Sequence, residues 1–419
     1  FPLWYVQDVE GFRTDVRVAV LSYFATDWYA DQMTSKVNDS EPIPISLERE
    51  DYIQGKNDYL MYIGNRDGSE DKNINAPVNL ELYLDLLKKE DRQVMVQLQD
   101  GSSTGKLLSK KFALAINKQD VLSKGFIPKG KENRIVDVME FDIKGNNIYK
   151  NDLLLLDLIA TNKWERPIYF NQTSANTINF NVRDYLQMDG MVYRLMPIAA
   201  QNNGDLGEVN FEEMKKAVEQ FQFRGMQTEG YYDDEYKKFG AQFRQVYFRL
   251  AQEYFERGDK EKAIQTMDKA FELLPVMNVP YSYYEPYFIQ LYHMAEADDK
   301  AIALAEDISS RAMSNLNFVY THNLNQFNYS DIVQRSSIQM RVLVSVYRQL
   351  DAMASQEIQR LEAKKSIMKE EGKVVVDNDG NEVKLEFSQE DATRLESLKK
   401  RQTIFAEAIQ KYGAASGMQ

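Results

Sequence analysis

Residues 247–275 read YFRLAQEYFERGDKEKAIQTMDKAFELLP. Two amphipathic runs flank Gly258–Asp259, a pair suited to a tight turn followed by a helix N-cap. The first run sets Tyr247, Leu250, Ala251 and Tyr254 on one helical face. The second sets Ala263, Met267 and Ala270 on another and closes at Pro275. Alanine at facing positions lets two helix backbones approach closely. Large residues early, small ones at fixed places and a closing proline define a helix–turn–helix repeat of about 34 residues. Each of these positions carries a suitable residue, so the stretch predicts a packed helix pair.

A lone pair of this kind cannot bury both of its faces, so neighbouring helices must supply a stack. Tyr292 and Ala301 repeat the spacing of Tyr254 and Ala263, offset by extra chain at Asn278–Ser282. Two further helices are expected around Ser330–Leu350 and Ala352–Glu370. Lys373–Val376 and Glu382–Phe387 flank Asp377–Asn378–Asp379–Gly380, which predicts a β-hairpin over 373–387. Ser388 and Asp391 have the spacing of a capping box for a last helix reaching about Tyr412. The pattern as a whole is that of tetratricopeptide-like repeats, and it assigns residues 206–419 to an all-α helical-repeat domain.

Upstream the pattern changes. Pro2 suits the first turn of a helix that puts Leu3, Val6 and Val9 on one face. Val16–Leu21 reads as a buried strand, and Thr26–Asp27 as the cap of a helix holding Trp28, Tyr29, Gln32 and Met33. Pro42–Ile45 is extended. Val78–Lys89 is helical, with Leu80, Tyr83, Leu84 and Leu87 in register. Phe112–Ile116 and Ile135–Phe141 are strands, Asn151–Thr161 a helix, Pro167–Phe170 a strand, Val182–Gln187 a helix and Met191–Met196 a strand. This alternation predicts an α/β domain with a layered, Rossmann-like sheet over residues 1–205. The boundary falls in the polar stretch Ala199–Asn210.

The 419 residues exceed one ordinary core, which agrees with two domains. The net charge is -13 and no long Lys/Arg block occurs, so a nucleic-acid partner is not expected. There is no Cys, and His293 and His322 lie in different predicted helices without ligand spacing, so neither thiol catalysis nor a metal site is expected. No cofactor is implied. The chain opens on Phe1–Pro2–Leu3–Trp4 without a charged, apolar leader, and no apolar run is long enough for a membrane span. The expectation is a soluble piece of a longer protein.

Two familiar motifs fail on inspection. Gly101–Lys106 (GSSTGK) has three residues between its glycines where a phosphate loop needs four, and Leu107 replaces the magnesium-binding hydroxyl. It reads as a flexible loop. Asp377–Gly380 has its glycine too early for a calcium loop and Ser388 where a glutamate belongs. Asp8, Asp15, Asp27 and Asp31 gather near Trp4, Trp28 and Tyr29. Carboxylates beside aromatic rings suit a sugar site, although helix capping and core packing explain the same residues more simply.

Phe1–Gly11 (FPLWYVQDVEG), Asp15–Val18 and Thr26–Tyr29, together with Asp152–Leu154 and Ala160–Phe170 (ATNKWERPIYF), resemble the soluble C-terminal region of a family of bacterial membrane proteins. That family is described as protein O-mannosyltransferase-like and was formerly one of unknown function. The resemblance implies a parent with many membrane helices, in the style of C-type glycosyltransferases that use lipid-linked sugars. The soluble part would then lie in the periplasm. Catalytic carboxylates in such enzymes lie on loops of the membrane part, so the resemblance assigns no catalytic residue here. Trp4, Asp27, Trp28, Tyr29, Trp164 and Arg166 are the candidates for contact with a ligand or with the membrane domain. The expected partners are that membrane domain, an acceptor protein or a lipid-linked sugar. The competing expectation is a non-enzymatic protein-interaction scaffold built on the repeats.

Overall fold

Leucine spacing sets the core of the first half of the chain. Asn79 caps α4 (Leu80–Lys88) by accepting from Leu82 N, and Leu80, Tyr83, Leu84 and Leu87 then turn inward together, each buried. In α6 (Lys150–Asn162) almost every residue is buried, so this helix lies at the centre of its unit. The computed structural model describes residues 2–64, 74–201, 204–322, 324, 328–369, 374–376, 382–384 and 387–415. The chain divides into two units, Phe1–Glu219 and Gln220–Gln419. The polar stretch 199–210, where a boundary at 205 was expected, lies inside the first.

The first unit contains helices α1 (Pro2–Asp8), α2 (Asp27–Met33), α3 (Arg49–Tyr52), α4, α5 (Lys118–Ser123), α6, α7 (Gln172–Thr177) and most of α8 (Phe211–Gln220). Its strands are β1 (Tyr59–Tyr62), β2 (Val78–Asn79), β3 (Met95–Gln97), β4 (Ser103–Leu107), β5 (Lys111–Ala115), β6 (Val138–Asp142), β7 (Asn147–Tyr149), β8 (Tyr169–Phe170), β9 (Leu186–Asp189), β10 (Val192–Leu195) and β11 (Glu208–Val209). These form three small sheets among the described residues, ordered β3-β4-β1-β7, β11-β9-β10-β8 and β2-β5-β6. Only β1/β4, β2/β5 and β9/β11 pair in parallel. The unit is therefore mixed α/β, and the single Rossmann-like sheet gives way to separate ladders. Short connections such as that between β9 and β10 force antiparallel neighbours, whereas a parallel sheet needs a long crossover at every step.

Three local expectations change. Val16–Leu21 forms no strand; it runs extended into a 3-10 turn at Leu21–Ala25, with Val16 exposed and Arg17 turned to backbone carbonyls. Val182–Gln187 is a 3-10 turn (Arg183–Tyr185) leading into β9, not a helix. Residues 101–106 enter β4, where the N–H of Gly105 donates to Asn57 Oδ1 over 2.7 Å. A Cβ on Gly105 would meet Leu87, Asn57 and Leu60 at 2.7–2.9 Å, so this glycine serves close packing rather than phosphate binding.

The second unit is helical: α9 (Asp234–Glu256), α10 (Lys260–Leu273), α11 (Pro286–Met294), α12 (Asp298–Thr321), α13 (Ser330–Lys369) and α14 (Gln389–Ala415), with strands β12 (Val374–Val376) and β13 (Glu382–Lys384) paired antiparallel. The turn at 377–380 of the expected hairpin lies outside the described residues. Gly258 takes φ +83° between α9 and α10, and Asp259 caps α10 by accepting from Lys262 N. Tyr247, Leu250, Ala251, Ala263, Met267 and Ala270 are buried, while Tyr254 and Pro275 are half-buried. The two helices expected around 330–350 and 352–370 are one continuous helix, α13. Asp351-Ala352-Met353-Ala354 contains no breaker, and alanine and methionine favour helix. Both hydrogen bonds of the predicted capping box form, Ser388 N to Asp391 Oδ2 and Asp391 N to Ser388 Oγ, each 3.0 Å.

A buried ion pair pins the chain between α10 and α11. Arg244 Nη1 lies 2.9 Å from Glu285 Oε1, and both side chains are 1% exposed. Arg244 also donates to the Leu274 and Val279 carbonyls, and Glu285 accepts from Ser282 N and Oγ. The inserted residues that offset the second helix pair are thus held by charge as well as by the buried Val279, which packs against Gly240.

Candidate functional site in the N-terminal unit

The first turn of α2 sets two aromatic neighbours in opposite roles. Tyr29 is core, 2% exposed. Its hydroxyl accepts from Val20 N at 2.7 Å and donates to Val18 O at 3.4 Å, and burial pushes its pKa up. Trp28 is 60% exposed, yet its ring is fixed, edge-on to Tyr29 at 5.4 Å and 6.1 Å from Tyr23. Thr26 makes no side-chain cap; its hydroxyl donates to Tyr23 O instead.

The stretch after α1 packs beside α2. Gln7 Nε2 donates to Arg13 O and Val16 O, fastening the end of α1 to the loop after it. Trp4, Gln7 and Asp8 of α1 and Tyr23, Trp28 and Gln32 then line one cavity of about 340 Å³, together with Asn38 and Ser40. Arg17 lines it too. Its guanidinium donates to the carbonyls of Gln32 (3.1 Å), Ser35 (2.8 Å) and Ser40 (3.2 Å), and so ties the loop after α2 to the cavity wall. Burial and the nearby Arg166 charge lower the pKa of Arg17.

Arg166 braces the same loop from outside. It donates to Glu41 O (3.0 Å), Pro42 O (3.1 Å) and Ser40 Oγ (3.3 Å). It stands on the tight turn after α6, where Lys163 (φ 44°) and Trp164 (φ 62°) are successive left-handed residues and Asn162 Nδ2 donates to Arg166 O. Trp164 is half-buried on this turn and does not line the cavity.

The four N-terminal aspartates do not converge. Only Asp8 lines the cavity. Asp15 pairs with Arg13, and Asp31 accepts from Arg49 Nε and from Tyr52 OH, each at 3.0 Å. Burial and the Asp31 carboxylate push Tyr52 up to about 12. Asp27 accepts from Gln54 N (2.7 Å) and from Lys150 Nζ (3.1 Å). Burial opposes ionisation of Asp27, but these two donors outweigh it and hold the carboxyl below its ordinary value. Lys150, 2% exposed, bridges Asp27 and Asp58, so Asp27 belongs to a structural ion-pair cluster centred on a buried lysine.

Of the residues singled out in the sequence, the fold brings Trp4, Trp28 and Tyr29 to the cavity and Arg166 to its bracing loop. It sends Asp27 and Trp164 elsewhere. Sequence reasoning missed Gln7, Arg17, Gln32 and Asn38. The one available signal was Arg17, a charged residue inside an otherwise apolar run. No group of three potential metal-ligating His, Cys, Asp or Glu side chains occurs among the described residues.

No curated protein and no solved structure matches the chain. The family model for TMEM260-associated domain 2 matches residues 1–213, more than half of the 419 residues, and the matched stretch includes every residue of the cavity and of Arg166's turn. The chain therefore belongs to the TMEM260-associated domain 2 family, a domain associated with a membrane protein.

Proposed function

We propose that this chain is the extracytoplasmic accessory region of a multi-spanning glycosyltransferase-like membrane protein, and that it serves protein O-glycosylation without carrying the catalytic groups. Among the described residues no helix is long and apolar enough to cross a membrane. The observation that carries the reading is the cavity beside the exposed Trp28, inside the family-matched region. Next to it α1 buries none of its residues, and Leu3, Tyr5, Val9 and Phe12 expose 56–68% of their surface. Such a patch suits contact with the membrane domain. The resemblance of the family strings named above supports a periplasmic placement as part of this reading.

In this reading the helical second unit holds the acceptor protein. Transfer of sugar to acceptor is measured with the full-length parent and its Trp28→Ala variant. The variant is expected to lose at least tenfold in transfer with its membrane part intact. Full transfer by the soluble chain alone would overturn the reading.

A second reading is a protein-interaction scaffold built on tetratricopeptide-like repeats. It draws on the α9–α10 contact, where Ala251, Ala263 and Ala270 are completely buried. Under it, the whole chain binds the acceptor polypeptide with the same affinity whether or not the acceptor is glycosylated, and Trp28→Ala leaves transfer unchanged.

A further inference from the structure

The chemistry of the cavity narrows what it can hold. Its volume of about 340 Å³ lies at the small end of the roughly 300–1,000 Å³ typical of small-molecule sites. Its lining carries the rings of Trp4, Tyr23 and Trp28, the last two 6.1 Å apart. Val16, Val18, Met33 and Val37 add apolar lining. Among the polar lining residues the exposed Asp8, Gln32 and Asn38 have side chains that make no hydrogen bond or ion pair among the described residues, whereas those of Gln7, Thr14 and Arg17 are engaged.

Three ligand classes compete. An apolar side chain would cover the indole but make no use of the carboxylate and two carboxamides at the cavity's edge, whose hydrogen-bonding capacity it cannot engage. An anion would need a free cation. Arg17 is the cavity's guanidinium, and its N–H groups are largely spent on the carbonyls of Gln32, Ser35 and Ser40, while Asp8 adds a negative charge to the same lining. A ring with an apolar C–H face and hydroxyls around its edge satisfies both surfaces. Its C–H face covers the Trp28 indole, and its hydroxyls donate to the Asp8 carboxylate and exchange hydrogen bonds with Gln32 and Asn38.

We propose that this cavity is a binding site for a neutral pyranose, with Trp28 as the stacking platform and Asp8, Gln32 and Asn38 reading its hydroxyls. The site deepens the accessory reading given above by naming what the first unit recognises. Its test uses no transfer reaction, so the two ideas fail separately.

Saturation-transfer NMR on the 419-residue chain with methyl glycosides of the common neutral hexoses and of N-acetylglucosamine reads binding directly. Affinity on the order of millimolar is expected for a ligand of about a dozen non-hydrogen atoms, with transfer strongest to the ring C–H protons. Trp28→Ala should abolish the signal and Asp8→Asn weaken it at least fivefold, each with an unchanged melting temperature. No signal from any neutral glycoside at tens of millimolar, with the chain folded, overturns the proposal. So does binding of a glucuronide alone, which would make Arg17 the recognition group, or binding of an aromatic dipeptide alone.

Discussion

Around α6 and at the α9–α10 contact, the same problem of holding chain against a helix is solved by opposite means. At α9–α10 the buried surface is mostly apolar, with Tyr247, Leu250, Ala251, Ala263, Met267 and Ala270 all within about twenty-five positions, and a single buried guanidinium, Arg244, adds hydrogen bonds to the Leu274 carbonyl. Around α6 it is made by buried charge over long distances. Asp157 accepts from Ser46 N and Leu47 N, each at 2.8 Å, and from Thr161 Oγ1 at 2.9 Å. Asp152 accepts from Tyr149 N and from Asn179. Short-range apolar contact leaves a periodic trace in sequence, and long-range capture of backbone by an acid leaves none.

The sharpest way to break this contrast is through its exception, the Arg244–Glu285 pair in the helical unit. Glu285→Ala leaves Arg244 buried without its counter-charge and should cost about 3–5 kcal/mol. Urea denaturation would measure the loss, and faster hydrogen exchange at 278–285 would locate it. Asp157→Ala comes next. It strips two backbone N–H groups of their acceptor and should cost about 2–3 kcal/mol, read in the same way with exchange followed at Ser46 and Leu47.

Acid sharpens the comparison further. Glu208 accepts from Arg134 (2.6 and 2.9 Å), Lys131 (2.5 Å) and Gln201 N (2.7 Å). Burial works against its charge, but these donors win and hold its pKa down at about 2. A carboxyl depressed in the folded state stabilises above its ordinary value near 4.5 and loses that contribution as pH falls toward 2. The melting temperature should therefore drop between pH 4.5 and 2 more steeply than in Glu208→Gln. Asp157 has the opposite sign. Burial raises its carboxyl, so its own contribution shrinks as pH rises through the raised value. The smallest effect belongs to Trp28→Ala, which should move stability by no more than about 0.5 kcal/mol, because most of that ring already faces water.

This contrast explains how much could be read in advance. Helices α4, α6, α9, α10 and α14 follow from leucine and alanine spacing and from caps at Asn79, Asp259 and Ser388. The strand expected at Val16–Leu21 failed because β-branched residues signal extension, not a partner, and no ladder pairs this run. One layered, Rossmann-like sheet was expected because alternating strands and helices do not reveal which neighbours pair. At the cavity, Trp28 and Tyr29 stood out as aromatic residues beside acids. Adjacent letters could not show that one would be core and the other an open platform. Arg17 and Arg166 meet only because the chain returns to Ser40 from 23 and 126 positions away.

The left-handed pair at Lys163 and Trp164 has a consequence for change in this region. Most surface connections accept an added or deleted residue. Here Glu165 N donates to Asn162 O across a tight turn, and Arg166 Nη1 reaches two successive carbonyls, at Glu41 and Pro42, within 3.1 Å. The turn acts as a ruler. Lengthening it by even one residue would swing this nitrogen off both carbonyls, so this bend should tolerate substitution far better than insertion.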